Sequence, residues 1–278
     1  MTLKQISKIL ENSGIESHKL EATLLVSHFM NTDAAHIYSD PDADYVSEEL
    51  DAAVRKRAER YPLQYIFGEW DFCGLNFIVN ESCLIPRQDT EIVAETAAGF
   101  AKKGDRILDL CTGSGCLLAA VLHLSGNSRG TAVELYPDTA ETAKRNLSRF
   151  GFDCKVIIGD VRDDLFSDND RFDLIISNPP YIAPDEMKAL EPELTYEPRH
   201  ALTDGLDGLS LIEAVITNYM PHLAKNGHMV IEHGYLQAGS VEKIVRNLSY
   251  DYMPVKDYGG NIRAAVITYH VPPQEKGE

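Results

Sequence analysis

The sequence predicts an α/β fold: a mostly parallel sheet covered by helices on both faces, preceded by a small helical domain. Three observations carry that prediction. From Thr90 onward, short apolar runs alternate with helical segments, the pattern of parallel strands joined by crossover helices. Within that region the apolar strand Ile107–Leu110 runs through a glycine-containing turn straight into an apolar helix. Ahead of it, residues 1–70 repeat apolar side chains at helical rather than strand spacing.

The elements follow in chain order. Leu3, Ile6 and Leu10, then Ala22, Leu25, Val26 and Phe29, then Leu50, Val54 and Ala58 mark three helical faces, with Pro41 and Pro62 as punctuation. Phe72, Leu75, Phe77, Val79 and Leu84 read as strand, and Asn80-Glu81-Ser82 reads as a hairpin turn. Residues 71–89 are therefore expected to form a β-hairpin linker between a helical domain, 1–70, and a larger domain, 90–278. In the larger domain the first four strands are Ile107–Leu110, Thr131–Glu134, Lys155–Gly159 and Phe172–Ser177. Met229–Glu232, Tyr250–Val255 and Ala264–Tyr269 complete the set. The last residues, Pro272 to Glu278, are expected to fray.

The informative residues gather at one edge of this sheet. After the first strand comes Cys111-Thr112-Gly113-Ser114-Gly115, whose glycines permit close ligand approach while the following helix presents free N–H groups. Glu134 ends the next strand, about twenty residues beyond Gly113, the spacing at which a carboxylate reaches the ribose hydroxyls of a nucleoside. A dinucleotide fingerprint would place a small residue at 118, where this chain has Leu118. A nucleoside lacking a pyrophosphate fits better, and S-adenosylmethionine is the candidate. The third strand ends in Asp160-Val161, where the carboxylate suits an exocyclic adenine amine, or a helix N-cap, and the valine suits the ring.

The fourth strand delivers Asn178-Pro179-Pro180-Tyr181. A proline pair cannot continue a central strand, so the chain leaves the sheet as a stiff extended turn at its carboxyl edge, where open α/β sheets bind ligands. The turn offers the Asn178 side-chain amide and the Pro179 carbonyl as fixed acceptors beside an aromatic ring, a site suited to a planar group bearing an NH2.

Composition limits the alternatives. At 278 residues and 44% apolar content the chain supports a sizeable core, and the N-terminus lacks a signal-peptide block, so a cytoplasmic enzyme with no membrane span is expected. The five cysteines are odd in number and scattered, implying neither disulfides nor a zinc site. His222, His228 and His233 show no ligand spacing, and no metal is expected. A net charge of −17 opposes phosphate-backbone binding; the one dense basic cluster, Arg55-Lys56-Arg57 with Arg60, reads as a solvated helix face.

With these residues in hand, the chain resembles the release factor glutamine methyltransferases. The resemblance rests on Pro62-Leu63-Gln64-Tyr65-Ile66-Phe67-Gly68, Leu84-Ile85-Pro86-Arg87 with Asp89-Thr90-Glu91, the glycine loop, Asn178–Tyr181, Glu197-Pro198, and Asp204-Gly205-Leu206-Asp207-Gly208-Leu209. It implies a class I S-adenosylmethionine-dependent methyltransferase with a Rossmann-like seven-stranded sheet, one strand of it antiparallel. It implies methyl transfer to the side-chain nitrogen of the glutamine in the Gly-Gly-Gln loop of peptide-chain release factors, yielding S-adenosylhomocysteine, with the N-terminal domain helping to grip the protein substrate. Asn178, Pro179 and Tyr181 are then the catalytic residues, and Pro180 and Glu197 join them in binding substrate. Cys111, Thr112, Gly113, Ser114, Gly115, Glu134, Asp160, Val161 and Asn178 bind the cofactor. Glu134 stands where many relatives carry Asp. Arg87, Thr90 and Glu197 read equally well as structural hydrogen-bonding residues at the junction. Asn-Pro-Pro-Tyr is shared with adenine-N6 methyltransferases acting on DNA or RNA, which is the alternative reading, and a non-catalytic module of the translation machinery is a third.

Overall fold

The computed structural model describes residues 1–269; the expectation for Pro272 to Glu278 falls outside them. The chain divides into two compact units, Met1–Glu69 with Glu191–Tyr196, and Trp70–Leu190 with the chain from Glu197 onward.

The first unit contains α1 (Leu3–Asn12), α2 (His18–Met30), α3 (Ala34–Ser39), α4 (Glu48–Ala58) and α5 (Leu63–Phe67). Helix α1 opens with a capping box: Thr2 accepts from the Gln5 N–H and the Gln5 side chain accepts from the Thr2 N–H. Ile6, Leu10, Leu25, Val26, Leu50 and Val54 form its core. The basic cluster on α4 departs from expectation, because only Arg55 and Lys56 are exposed. Arg57 is 5% exposed and pairs with Glu21 and Glu193, while Arg60 also binds Glu193. A buried guanidinium needs such partners, since removing it from water unpaired is costly.

A two-stranded hairpin follows, β1 (Glu69–Phe72) and β2 (Leu75–Ile78), all but Glu69 in the second unit. Its turn is Cys73-Gly74, both at positive φ, and not Asn80-Glu81-Ser82. Two consecutive left-handed residues match the twist of paired strands. Asn80 instead folds its side chain onto the Ser82 N–H at 2.9 Å, a local turn in the segment leading to α6 (Gln88–Phe100).

There follow β3 (Ile107–Leu110), α7 (Cys116–Ser125), β4 (Arg129–Glu134), α8 (Pro137–Arg149), β5 (Asp153–Ile158), β6 (Phe172–Ser177), α9 (Arg199–Leu202), α10 (Ser210–Tyr219), β7 (Leu223–Glu232), α11 (Ala238–Asn247), β8 (Tyr250–Lys256) and β9 (Ile262–Tyr269). Among the described residues seven strands order as β5-β4-β3-β6-β7-β9-β8, and β9 runs antiparallel to both of its neighbours. Alternate side chains feed two cores. Ile107, Leu174, Ile176 and Val230 pack with α6, α7 and α8, whereas Leu108, Ile175, Met229 and Ile231 pack with α10 and α11. Leu118, the large residue at the third fingerprint position, fills a notch over β4, where a Cβ on Gly130 would lie 2.8 Å from its Cδ1. The chain runs outward from β3 to β5 and then returns to β6, so strand order reverses between β3 and β6, the switch point at which such sheets take ligands.

Candidate active site

A cleft opens at that switch point, enclosing about 1120 Å3 of free space, solvent at its mouth included. The ends of β3, β4, β5 and β6 supply Cys111, Glu134, Asp160 and Asn178 to its wall. Thr112, Gly113, Ser114, Val161 and Pro180 also line it; Gly115, Pro179, Tyr181 and Glu197 do not.

The glycine loop is pinned from below. Gly113 and Gly115 sit at φ +57° and +79°, and a Cβ on Gly115 would press to 3.4 Å of Ala143 on α8. Asn146 of α8, fully buried, donates to the Ser114 carbonyl at 2.9 Å and exchanges hydrogen bonds with both backbone groups of Ile78, tying loop to hairpin. Glu134 accepts the Gly113 N–H at 3.0 Å through one carboxylate oxygen and the Tyr136 N–H at 3.1 Å through the other. Burial pushes its pKa up against those N–H donors. Each oxygen keeps a lone pair for a further donor.

Asp109, at the end of β3, is wholly buried and lines the same cleft. One oxygen takes the Thr112 hydroxyl, and the other has no hydrogen-bond partner among the described residues. Burial pushes its pKa up to about 7. An orphaned carboxylate oxygen at a ligand cleft awaits a donor, since leaving it bare costs roughly 1–3 kcal/mol. Asp160 is filled differently: the Arg162 side chain and N–H contact both of its oxygens at 2.8–3.1 Å and hold its pKa down. It caps no α-helix.

Asn178 donates its side-chain NH2 to the Thr90 hydroxyl at 3.3 Å, which leaves Oδ1 as its acceptor for the cleft. The Tyr181 hydroxyl donates to Glu232 at 3.1 Å, and its backbone carbonyl accepts from Gln237 at 2.9 Å. Gln237 also binds the Gly208 carbonyl, and a Cβ on Gly208 would fall 2.2 Å from the Tyr181 carbonyl oxygen. Only glycine fits there. Glu197 accepts the Ile85 N–H at 3.0 Å and pairs with Arg87, fixing the segment from which Leu84, Pro86 and Arg87 line the cleft. Asp89 pairs with Arg263 at 2.9 Å, and Glu91 accepts the Cys73 N–H. The junction motif is thus a set of anchors, of which Thr90 holds Asn178 directly.

Sequence reasoning missed Asp109, Glu232, Tyr136 and His200. Glu232 ends an apolar strand at the same carboxyl edge, the signal that drew attention to Glu134. Tyr136 and His200 stack at 3.5 Å in the cleft wall, and no spacing joins residues so distant in sequence. The three histidines weighed for metal binding are occupied locally: His222 with Asp164, His228 stacked on Phe100, His233 with the Gly234 carbonyl. The cysteines are free thiols, and among the described residues no helix is long and apolar enough to cross a membrane.

A seven-stranded sheet with a glycine loop at its switch point defines a class I methyltransferase. In agreement, residues 90–207 match the methyltransferase small domain, and residues 2–68 match the PrmC N-terminal domain. A methyltransferase structure from Pyrococcus furiosus superposes with a TM-score of 0.51 at 18% identity, covering 70% of this chain and 88% of that one. Proteins named release factor glutamine methyltransferase align over most of the chain. That of Geobacter sulfurreducens is 38% identical across 84% of this chain and 82% of its own length. Those of Agrobacterium fabrum and Vibrio cholerae are 33% and 32% identical, each covering at least 93% of both chains. The chain belongs to the release factor glutamine methyltransferase family.

Proposed function

We propose that this enzyme transfers a methyl group from S-adenosylmethionine to the side-chain nitrogen (N5) of the glutamine in the Gly-Gly-Gln motif of peptide-chain release factors. The observation that carries the reading is the meeting, in one cleft, of a half-satisfied Asp109 and Glu134 with the committed amide of Asn178. The residues fit the cofactor. Glu134 has lone pairs for the ribose hydroxyls, the bare Asp109 oxygen suits an ammonium, and Val161 and Leu135 offer apolar surface to a nucleobase. The loop Cys111–Gly115 lies open to the remainder. Asp160 reaches an adenine amine once the half-exposed Arg162 yields.

The bound cofactor supplies an electrophilic methyl group on a sulfonium. An amide nitrogen is a weak nucleophile because its lone pair is shared with the carbonyl, so the protein must orient it. Asn178 Oδ1 and the Pro179 carbonyl accept its two N–H bonds and aim the nitrogen, and the same acceptors stabilise the positive charge that develops. Pro180 in the cleft wall bounds the amide and excludes water, and Tyr181 behind it holds the turn in place. Orientation of this kind supplies several kcal/mol, up to roughly 7–11 in the best intramolecular cases. The proton departs after methyl transfer, so no strong base is required. The helical unit is proposed to recognise the release factor, and a cytoplasmic location is expected for an enzyme with that substrate.

The test is transfer of labelled methyl to a purified bacterial release factor, run beside a variant whose Gly-Gly-Gln glutamine is replaced and beside duplex DNA. Label on the intact factor alone is expected. Label on DNA would move the assignment to the adenine-N6 class, and equal label on both factors would move it to another protein site.

A further inference from the structure

Behind the Asn178–Tyr181 turn lies a carboxylate that the mechanism above does not use. Glu232, 2% exposed at the end of β7, accepts the Tyr181 hydroxyl through Oε1, while Oε2 is buried and has no hydrogen-bond partner among the described residues. Thr90, on the first turn of α6, lies beside the same carboxylate and draws its pKa down. The Thr90 oxygen meanwhile accepts the Asn178 NH2. Both side chains that end the turn therefore converge on one buried acid, Tyr181 directly and Asn178 by way of Thr90. We propose that Glu232 is the positioning residue of the active site, orienting Tyr181 by direct hydrogen bond and the Asn178 amide through the Thr90 hydroxyl. The proposal deepens the glutamine-methylation reading and rests on it for its kinetic consequence.

An ionised carboxylate only accepts, so the Tyr181 hydroxyl proton turns toward it, and the Thr90 hydroxyl beside its open oxygen has an acceptor to turn to. The Thr90 lone pairs then face Asn178, which must answer with its NH2, and Oδ1 is left for the substrate N–H. A protonated Glu232 has a proton to donate. If Thr90 takes it, that oxygen no longer fixes Asn178, and the amide is free to present NH2 to a substrate that also presents N–H. Two donors repel. Glu232 does not line the cleft, so it acts on the reaction only through these neighbours.

The charges around it leave both states within reach. Burial raises the Glu232 pKa to about 7, opposed by Thr90, Tyr181 and Arg263 of β9, and assisted by Asp89 of α6. Arg263 is shared with Asp89 and Asp257, which tempers its hold on Glu232, and His233 next along the chain is kept neutral by burial. Turnover is expected to fall on the acid side with a midpoint near that of Glu232.

The experiment compares kcat against pH for the wild type, Glu232→Gln, Thr90→Val and Thr90→Ser, with cofactor affinity measured by calorimetry. It also follows the Asn178 side-chain amide resonances by NMR. Glu232→Gln should lower kcat by about ten- to a hundredfold, the scale of a displaced reacting group, leave cofactor Kd within about twofold, and abolish the acid limb. Thr90→Val should do the same and Thr90→Ser should restore it, so a poorly folding Glu232→Gln does not remove the test. Retention of the wild-type limb in both Glu232→Gln and Thr90→Val would overturn the proposal. So would wild-type Asn178 resonances that ignore pH between about 6 and 8. If the wild type methylates no release factor, the functional reading fails instead, and the NMR titration still judges the clamp.

Discussion

Asn178 and Glu134 act on different partners in the proposed reaction, and their alanine variants should separate accordingly. Asn178→Ala is expected to lower kcat by roughly a hundredfold or more while sparing cofactor affinity, since it removes an acceptor aimed at the transition state. Glu134→Ala should chiefly weaken cofactor binding, by about tenfold or more, as expected for loss of a charged hydrogen-bonding group worth about 1.5–3 kcal/mol. Equal loss of binding in both, by calorimetry, would refute this division. At this scale the sequence was most legible where chemistry coincides with a strand end. Cys111, Glu134, Asp160 and Asn178 all reach the cleft wall because four parallel strands finish at one edge. What it concealed were partners distant along the chain, such as Thr90 against Asn178 and Arg87 against Glu197, which only the folded sheet brings together.

Among elements, the short links between strand ends and helices bear the strictest geometry. Gly208→Ala would drive a Cβ into the Tyr181 carbonyl at a backbone φ of +73°, so it should displace the Asn178–Tyr181 turn and lower kcat far more than cofactor affinity. Wild-type turnover in that variant would show that the turn tolerates movement. Glu197→Ala strands the buried Ile85 N–H and releases Arg87 from its partner. A loss of about 1–3 kcal/mol in urea unfolding is expected from the N–H alone, since Arg87 is partly solvated. Strand positions were readable from apolar runs, though β7 begins six residues earlier than its apolar core suggests, because Leu223 pairs with Phe172 across an irregular register. The hairpin turn was misread for a physical reason. Asn80 and Ser82 carry turn chemistry that they satisfy locally, whereas Cys73 is an unusual residue to find at positive φ.

For the molecule as a whole, buried acids set the dependence of stability on pH. Asp109 and Glu232 both titrate near 7 in the folded state because burial penalises their charge. The unfolded chain releases those protons near pH 4, so between about 4 and 7 the folded state binds more protons and stability falls as pH rises. Asp160 and Asp207, held low by Arg162 and by the Leu209 N–H respectively, act oppositely, and their contribution is lost as pH falls below about 4. A net charge of −17 adds repulsion on the alkaline side. Without cofactor, Tm should therefore peak near pH 5 and drop by several degrees at about pH 8, and Asp109→Asn should flatten the decline. A Tm that climbs steadily to pH 8 would contradict this account. The two-part organisation was legible from periodicity, but the return of Glu191–Tyr196 to the helical unit was not, since six polar and apolar residues carry no pattern long enough to declare an address.

That six-residue return has a bearing on synthesis. Arg57 is buried early in the chain, yet one of its two carboxylate partners, Glu193, lies 136 positions later. A nascent helical unit emerging from the ribosome therefore has Glu21 for this cation but lacks its second carboxylate until most of the larger unit has also been translated. At about 5–20 residues per second the wait is on the order of ten seconds. The amino-terminal portion therefore completes its buried ion-pair set only when Glu193 arrives, although Glu21 holds Arg57 from the start.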